Sequence, residues 1–289
     1  MADKKKLMVP DFYKMKKKGE KVTWLTSYDF PTAQFAEAAD MDMILVGDSL
    51  GMCVYGYEGT VPVVMDQCIW HAEAVRRGAP NTFVMGDMPF MSYQSSLYKA
   101  VENAGRFLKE AGCDAIKLEG GTRVVPQIKA ILDAGIVVCG HIGLTPQSSG
   151  QLGGHKAQGR TLESAKLLIE DAFAIQEAGA QLLLLEAVPP ELGQYITEKL
   201  EIPVFGIGAG VHTDGQLLIV SDVIGQFQAF TPKFVKKYCN VAEVITGALS
   251  DYVKDVRAGS FPQDEHCYKM LKGEFDKFKA WTEEKGKSA

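Results

Sequence analysis

The segment LLLLEAVPP at residues 182–190 indicates how this chain folds. Its four consecutive leucines suit a strand of a parallel sheet that is buried on both faces, because a strand with one wet face alternates apolar and polar residues. The strand ends at an acidic residue, Glu186, and the stretch Pro190 to Leu200 then has helical spacing. A buried strand followed by a helix is one βα unit of an α/β protein.

Seven further apolar runs alternate with helical patterns along the chain. The eight predicted strands are Val22 to Ser27, Met43 to Val46, Thr82 to Met85, Ala115 to Leu118, Ile136 to Cys139, Leu182 to Leu185, Val204 to Ile207 and Leu218 to Val220. The other predicted helices are Phe30 to Ala39, Met65 to Arg77, Ser95 to Ala111, Val124 to Ala134, Leu162 to Ala178 and Lys233 to Val256.

Eight βα units fit one (β/α)8 TIM barrel, which needs about 250 residues. The chain has 289, so we predict a single barrel domain with a core from about residue 20 to 262, an N-terminal helix and a C-terminal helical extension over residues 263–289. The alternative is an open doubly wound sheet, but the G-x-G-x-x-G sequence that follows the first strand of many such sheets is absent.

The composition, with 46% hydrophobic residues, is typical of a globular protein. The formal net charge of −5 argues against a nucleic-acid partner, and no 18-residue apolar window could span a membrane. Six widely spread cysteines without a CxxC pair suit free thiols in a reducing compartment, so we predict a cytoplasmic protein. Eight lysines lie within the first 21 residues, and we interpret them as a solvated helix with Phe12 and Met15 turned inward rather than as an anion site.

Polar side chains stand at the carboxyl ends of five predicted strands. They are Asp48, Asp87, Glu119, His141 and Glu186. Because active sites of such barrels are built at that end, we expect these side chains to converge although they are far apart in sequence. The first three are separated by 39 and 32 residues, and each interval is close to one βα unit.

Three convergent carboxylates, Asp48, Asp87 and Glu119, would repel one another unless a cation neutralised them. Oxygen ligands on well-separated strands suit Mg²⁺, which accepts a substrate in its remaining positions. A single acid at a strand end can instead be the N-cap of the next helix, and this alternative stays open for each residue taken by itself.

Lys117 lies two residues before Glu119, so both side chains point into the barrel. A buried lysine suggests a partner for a substrate carboxylate, or it pairs only with Asp87 or Glu119. Ser49 either donates to the same anion or caps a helix. His141 is either a ligand contact or a satisfied core residue.

The sequence contains no P-loop and no cysteine with an evident catalytic partner. The pattern therefore indicates metal-assisted chemistry on a small carboxylate, with Glu186 as an acid that can move a proton. The glycine-rich stretch Gly143 to Arg160 follows the fifth strand, and its length predicts a functional lid.

At these residues the sequence closely resembles the ketopantoate hydroxymethyltransferase family, over roughly Lys14 to His266. The motifs that carry the resemblance are TSYDF (26–30), LVGDSLGM (45–52), AVRRGAPN (74–81), GDMPFMSY (86–93), IKLEGG (116–121), CGHIGLTPQS (139–148), LLLEAVP (183–189), GIGAG (206–210) and TDGQ (213–216). The resemblance implies a (β/α)8 barrel, one Mg²⁺ per subunit, 5,10-methylenetetrahydrofolate as the one-carbon donor, and a homodecamer.

The resemblance also implies roles for individual residues. Asp48 and Asp87 would ligate Mg²⁺ directly, with Glu119 as the third acid at the metal. Asp48, Ser49, Asp87 and Lys117 would hold 3-methyl-2-oxobutanoate. Glu186 would accept its C3 proton, and His141 is an accessory residue.

The implied reaction is enolisation of 3-methyl-2-oxobutanoate and hydroxymethyl transfer to give 2-dehydropantoate, a step of pantothenate biosynthesis. Two alternatives stay open. The first is a carbon–carbon lyase or mutase that acts on a 2-oxo acid through a Mg²⁺ enolate, and the second is a non-catalytic 2-oxo acid sensor. The sequence departs from the family in most of the tail after His266 and in QFQAF (226–230), which replaces a more glycine-rich stretch.

Overall fold

Eight parallel strands close into a barrel in chain order, with the first strand paired to the eighth. The structure, a computed structural model, describes residues 4–286. The strands are β1 (Val22–Thr26), β2 (Met43–Val46), β3 (Phe83–Asp87), β4 (Ala115–Glu119), β5 (Val138–Gly143), β6 (Leu182–Glu186), β7 (Val204–Ile207) and β8 (Gly215–Leu218). The predicted (β/α)8 TIM barrel is confirmed.

Helices precede, connect and follow these strands. They are α1 (Val9–Lys18), α2 (Phe30–Ala38), α3 (Leu50–Cys53), α4 (Met65–Gly78), α5 (Leu97–Lys109), α6 (Val125–Asp133), α7 (Ser149–Leu152), α8 (Leu162–Glu177), α9 (Pro190–Lys199), α10 (Val220–Val223), α11 (Val241–Ala258) and α12 (Glu274–Gly286). No helix among residues 4–286 is both long and apolar enough to cross a bilayer.

The eighth strand lies three residues earlier than the predicted Leu218 to Val220. It begins at Gly215, where an added Cβ would lie 2.4 Å from the carbonyl oxygen of Val22 on β1. Glycine therefore allows the close approach that completes the barrel. The strand is short and contains a polar residue, Gln216, so its sequence lacks the apolar run from which the other strands were predicted.

The predicted helix Lys233 to Val256 is wrong over its first eight residues, since α11 begins at Val241. The preceding segment contains Phe234, which is partly buried against the interior of the barrel. An added Cβ at Gly208 would lie 2.6 Å from the Phe234 ring. This tertiary contact places the segment at the carboxyl ends of the strands instead of in a helix.

The strands separate two layers of the hydrophobic core. In β4, Ala115 packs inside the barrel, whereas Ile116 and Leu118 pack outward against the helices. Side chains on a strand alternate between faces, so Lys117 and Glu119 share the interior face with Ala115. This placement agrees with the prediction from their spacing of two residues.

Helix α1 lies at the amino ends of the strands. Phe12 is fully buried, and its ring packs edge-on against Phe83 at 5.2 Å and against Phe205 at 6.4 Å between centroids. Lys16 forms an ion pair of 2.7 Å with Asp214, which directly precedes β8. The predicted N-terminal helix with an inward Phe12 is confirmed, although this lysine is not merely solvated.

The chain divides into two compact units, and the boundary falls between Cys239 and Asn240. The first unit holds α1 and the barrel strands, and the second holds α11 and α12. The helix-prone tail predicted over Tyr268 to Lys287 contains α12, and Lys287 lies outside the described residues. A barrel core that ends near residue 262, with an extension over residues 263–289, stays a prediction.

Candidate active site

Asp48, Asp87 and Glu119 are brought together at the carboxyl ends of neighbouring strands. Asp87 and Glu119 are the last residues of β3 and β4, and Asp48 lies just beyond β2. All three are almost fully buried, with exposures of 4%, 1% and 2% in chain order. The backbone N–H of Asp48 donates to Oδ2 of Asp87 at 3.0 Å, so the first two strands of the set are joined at the site.

Crowding of these carboxylates disturbs their protonation. Burial, together with the charges of Asp87 and Glu119, raises the pKa of Asp48 well above its ordinary value. Burial also raises the pKa of Asp87, although the neighbouring Lys117 opposes this rise. The site therefore holds more negative charge than its own lysine compensates.

Lys117 lies between the acids and the histidine of the site. Its Nζ contacts Oδ1 of Asp87 at 2.7 Å and lies 3.3 Å from Nδ1 of His141. Burial lowers the pKa of Lys117, but the charges of Asp87 and Glu119 outweigh it and raise the pKa above its ordinary value. The ammonium is consequently charged and adjacent to the cavity, where it can also receive a ligand carboxylate.

His141 links two acids from different strands. Its Nδ1 lies 3.4 Å from Oε1 of Glu119, and its Nε2 lies 3.2 Å from Oε2 of Glu186. Burial and the charge of Lys117 lower the pKa of His141, but the two carboxylates prevail and raise it to about 9. His141 is therefore a cation at neutral pH, and its contact lowers the pKa of Glu119 even though burial acts in the opposite direction.

Glu186 is the most accessible acid of the set. Its side chain is 15% exposed at the end of β6, and it lines the cavity. Oε2 lies 3.2 Å from Nε2 of His141 as an ion pair without hydrogen-bond geometry, and no hydrogen bond to Oε1 is found among residues 4–286. One oxygen of this carboxylate thus lies beside the His141 imidazole, and the other is available to a ligand.

Gln147, which the sequence analysis did not single out, joins two of the acids. Its side-chain Nε2 donates to Oδ2 of Asp48 at 2.8 Å, and its backbone N–H donates to Oε2 of Glu119 at 3.0 Å. The hydroxyl of Tyr93 lies 2.9 Å from Oε1 of Gln147 and accepts from the backbone N–H of Glu119 at 3.0 Å. Only its place in the motif CGHIGLTPQS pointed to Gln147, because a glutamine at the start of a glycine-rich loop is usually exposed.

Ser49 faces a tyrosine and caps no helix. It occupies the N-cap position of α3, but its side chain makes no capping hydrogen bond. Its Oγ lies 2.8 Å from the hydroxyl of Tyr28. Since Ser49 also lines the cavity beside Asp48, it can donate to a bound anion.

The side chains surround one cavity of about 610 Å³. The acids, Lys117 and His141 line one part of it. A second part is lined by Asp222 and by the aromatic side chains Phe227, Phe230 and Phe234, which follow β8 in sequence. His155, from the predicted lid, also lines the cavity, and the volume lies in the range that is usual for small-molecule sites.

The carboxylates do not form a ready-made site for Mg²⁺. Among the residues that the structure describes, no group of three or more His, Cys, Asp or Glu side chains is positioned to hold a metal ion. Lys117 and Gln147 instead hold oxygens of Asp87, Asp48 and Glu119. The donor set still fits Mg²⁺, because it consists of oxygens and because a divalent cation would offset the repulsion that raises the pKa values of Asp48 and Asp87.

A closed parallel barrel with acids, a lysine and a histidine around a cavity at its carboxyl end defines a (β/α)8-barrel enzyme. The family model for ketopantoate hydroxymethyltransferase matches residues 6–264. The chain belongs to the ketopantoate hydroxymethyltransferase family and is therefore a transferase.

Two curated relatives illustrate the match. The 3-methyl-2-oxobutanoate hydroxymethyltransferase of Alkaliphilus metalliredigens (strain QYMF) is 63% identical over 279 residues, which cover 96% of this chain and 98% of the relative. The protein of the same name from Syntrophomonas wolfei subsp. wolfei is 52% identical, with 91% of this chain and 95% of the relative covered. Both relatives match nearly from end to end.

Solved structures of other enzymes share the fold. Phosphonopyruvate hydrolase in complex with oxalate and Mg²⁺ superposes with a TM-score of 0.59 at 12% identity, covering 98% of each chain. A 2,3-dimethylmalate lyase gives a TM-score of 0.59 at 15% identity and covers 95% of this chain and 98% of the lyase. At sequence identities this low, the similarity shows a shared fold only.

Proposed function

We propose that the chain catalyses hydroxymethyl transfer from 5,10-methylenetetrahydrofolate to 3-methyl-2-oxobutanoate. The products are 2-dehydropantoate and tetrahydrofolate, and one water molecule supplies the hydroxyl oxygen. The observation that carries this proposal is the contact of Glu186 with the His141 cation beside Lys117, in a family whose curated members bear this activity in their names.

The acids beside Lys117 are the proposed place for the 2-oxo acid. Asp48 and Asp87 would hold Mg²⁺, with Glu119 as the third acid. When bound, the metal supplies positive charge for the carboxylate and keto oxygens of the substrate and for its enolate. Lys117 and Ser49 would receive the substrate carboxylate as charged and neutral donors.

Glu186 is the proposed base. Its free Oε1 would remove the C3 proton, while His141 holds Oε2 and keeps the carboxylate in place. Water breaks the two C–N bonds of the donor's methylene carbon, which releases tetrahydrofolate and leaves the carbon as formaldehyde. The enolate adds to this aldehyde carbon and forms the new carbon–carbon bond, and the aldehyde oxygen takes up a proton to become the hydroxyl group. Because proton removal precedes the attack, it can be observed without the donor.

The glycine-rich stretch Gly143 to Arg160 is proposed to close over the site and to exclude water from the enolate. His155 brings this stretch to the cavity wall. Amide hydrogen exchange over residues 143–160 should slow when the 2-oxo acid and Mg²⁺ are added. Equal rates of amide hydrogen exchange with and without substrate would contradict the proposed closure.

The finer assignments follow the family resemblance. We propose one Mg²⁺ per subunit, a homodecamer, a location in the cytoplasm, and no nucleic-acid or membrane partner. Sedimentation velocity of the full chain at micromolar concentration measures the assembly, and a single species of about five or fewer subunits would contradict the decamer.

The deciding experiment follows loss of deuterium from C3-labelled 3-methyl-2-oxobutanoate in the presence of Mg²⁺. The wild type is expected to exchange, and Glu186→Gln is expected to lose exchange by at least about 100-fold, the lower end for removal of a general base. Glu191→Gln, on the exposed side of α9, is the matched control.

The outcomes separate the candidate functions. Wild-type protein that does not exchange would contradict every enolate mechanism and favour a 2-oxo acid sensor. Exchange without 2-dehydropantoate on addition of 5,10-methylenetetrahydrofolate would instead favour a lyase or mutase. Full exchange by Glu186→Gln would remove this residue from the role of the base.

A further inference from the structure

The cavity extends well beyond the acids. One part, formed by residues from β2 to β6, accounts for the chemistry proposed for the 2-oxo acid. The other part is formed by residues 219–234, after β8, together with Thr60. We call the lining side chains Asp222, Phe227, Phe230 and Phe234 the aromatic lobe.

The rings of the aromatic lobe form a wall for a flat ligand. Phe227 and Phe230 pack edge to face at 5.4 Å between centroids, so their rings stand at 87° to each other. Phe230 is 52% exposed, which is unusual for a residue of this type at a cavity wall. A flat ring that enters the lobe would cover this exposed aromatic surface.

The aromatic lobe also contains an unsatisfied polar group. Asp222 is only 5% exposed, and no hydrogen bond to its carboxylate is found among residues 4–286. Burial raises its pKa, and the nearby Lys237 partly offsets this rise. Thr60 lines the same cavity, and its buried Oγ1 likewise has no hydrogen-bond partner in the described part of the chain.

Buried polar groups without partners are costly, so they are expected to meet donors and acceptors on a ligand. A carboxylate accepts two parallel N–H bonds from groups that lie side by side. The 2-amino-4-oxopyrimidine part of a pterin offers this arrangement through its ring N–H and its exocyclic amine. An aromatic wall and a buried carboxylate therefore fit the same flat heterocycle.

We propose that the aromatic lobe is the binding site for the pterin ring of the one-carbon donor, with Asp222 accepting two N–H bonds and Phe227 and Phe230 contacting the ring. This assignment rests on the proposed function, in which the donor is a tetrahydrofolate. It makes Asp222 a specificity-determining residue that has no part in enolisation. The donor's methylene carbon would then face the half of the cavity that holds the 2-oxo acid.

The first test compares Asp222→Asn with the wild type. Loss of a charged acceptor for two hydrogen bonds should raise KM for 5,10-methylenetetrahydrofolate by about tenfold or more. KM for 3-methyl-2-oxobutanoate and the donor-free exchange of its C3 proton should stay within about twofold. Asp251→Asn, on exposed α11, is the matched control and should change neither value.

A second test removes the amino group of the ligand that is proposed to donate to Asp222. A tetrahydrofolate analogue with a methyl group in place of the 2-amino group should bind wild-type protein about tenfold more weakly than tetrahydrofolate in calorimetric titrations. Asp222→Asn should bind the two compounds with similar affinity. Phe230→Leu should weaken both compounds and fold normally, because Phe230 is half exposed.

Several outcomes would overturn the assignment. The first is an unchanged KM for the donor in both Asp222→Asn and Phe230→Leu. The second is a loss of affinity for the analogue, relative to tetrahydrofolate, that is equal in the wild type and in Asp222→Asn. The third is loss of C3 exchange in Asp222→Asn. Failure of the proposed function appears differently, as wild-type protein that binds tetrahydrofolate in the titration but does not exchange the C3 proton.

Discussion

Gln147 shows how a neutral side chain can organise charged ones. Its amide orientation is fixed, because a flipped amide would point its oxygen at the carboxylate of Asp48 and at the carbonyl of Met88, which both accept from Nε2 at 2.8 and 2.9 Å. The hydroxyl of Tyr93 lies at the other end of the amide. Gln147 thereby limits which oxygens of Asp48 and Glu119 remain available in the cavity.

Gln147→Met should weaken both stability and metal binding. Methionine has a similar length but no donor, so Oδ2 of Asp48 would stay buried without its amide partner, at a cost of about 1–3 kcal/mol. Urea denaturation measures the loss, and the rise in Tm on addition of Mg²⁺ should shrink. Gln151→Met is the control, because the side chain of this exposed glutamine hydrogen-bonds only to Arg123 among residues 4–286. A variant with wild-type unfolding free energy and Tm response would contradict the role of Gln147.

His141 gives the metal-free protein a pH dependence of known sign. Its pKa is raised from 6.5 to about 9, so the stabilisation is fully present below pH 6.5 and is lost as the pH rises through 9. The unfolding free energy should fall by about 3 kcal/mol across this range. Denaturation at pH 6 to 10 tests this in the wild type and in His141→Gln, with His155→Gln as the exposed control. If the unfolding free energy falls equally with pH in the wild type and in His141→Gln, the prediction is contradicted.

Some residues of the site could be predicted from the sequence and others could not. The spacing of Lys117 and Glu119 placed both inside the barrel because strand side chains alternate. The acids were expected to meet because carboxyl ends of parallel strands share one edge. Gln147 and Asp222 could not be predicted, since polar residues in the short segments that follow strands become buried only through the tertiary positions of those segments.

Elements were predictable where an apolar run marks them. β6 is buried throughout its first four residues and was found from its leucines. β8 depends instead on Gly215 and its close contact with β1, which only the closed barrel provides. The segment before α11 likewise follows the contact of Phe234 with Gly208 rather than its helical periodicity.

Helix α1 should be essential to the stability of the barrel. Phe12→Ala would leave a cavity between Phe83 and Phe205 and is expected to cost about 3–5 kcal/mol. Urea denaturation measures this, with Phe35→Ala on α2 as a control, since Phe35 is 71% exposed. A loss below about 1 kcal/mol would show that α1 is not part of the cooperative core. KM for both substrates should stay unchanged at temperatures where the variant is folded.

Across the whole barrel unit, stability and chemistry lie at opposite ends of the strands. At the amino end, Asp114 accepts from Arg76 at 2.9 Å and pairs with Lys6, and Asp214 pairs with Lys16. These acids meet basic partners and support loops that precede β4 and β8. The acids at the carboxyl end contact Lys117 and His141, and the raised pKa values of Asp48 and Asp87 indicate that they remain short of positive charge.

The burial of Phe12 at the amino end of the barrel also has a kinetic consequence. Because Phe12 fills the amino end of the barrel, we expect both substrates to enter at the carboxyl ends of the strands. Phe230 of the aromatic lobe is 52% exposed and the acids are almost fully buried, so the proposed donor would lie nearer to solvent than the 2-oxo acid. The 2-oxo acid should therefore bind first and be unable to leave past the donor. Isotope trapping tests this order: labelled 2-oxo acid preloaded with Mg²⁺ should be converted completely when chased with unlabelled acid and saturating donor. Incomplete trapping at saturation would mean that substrates exchange in random order.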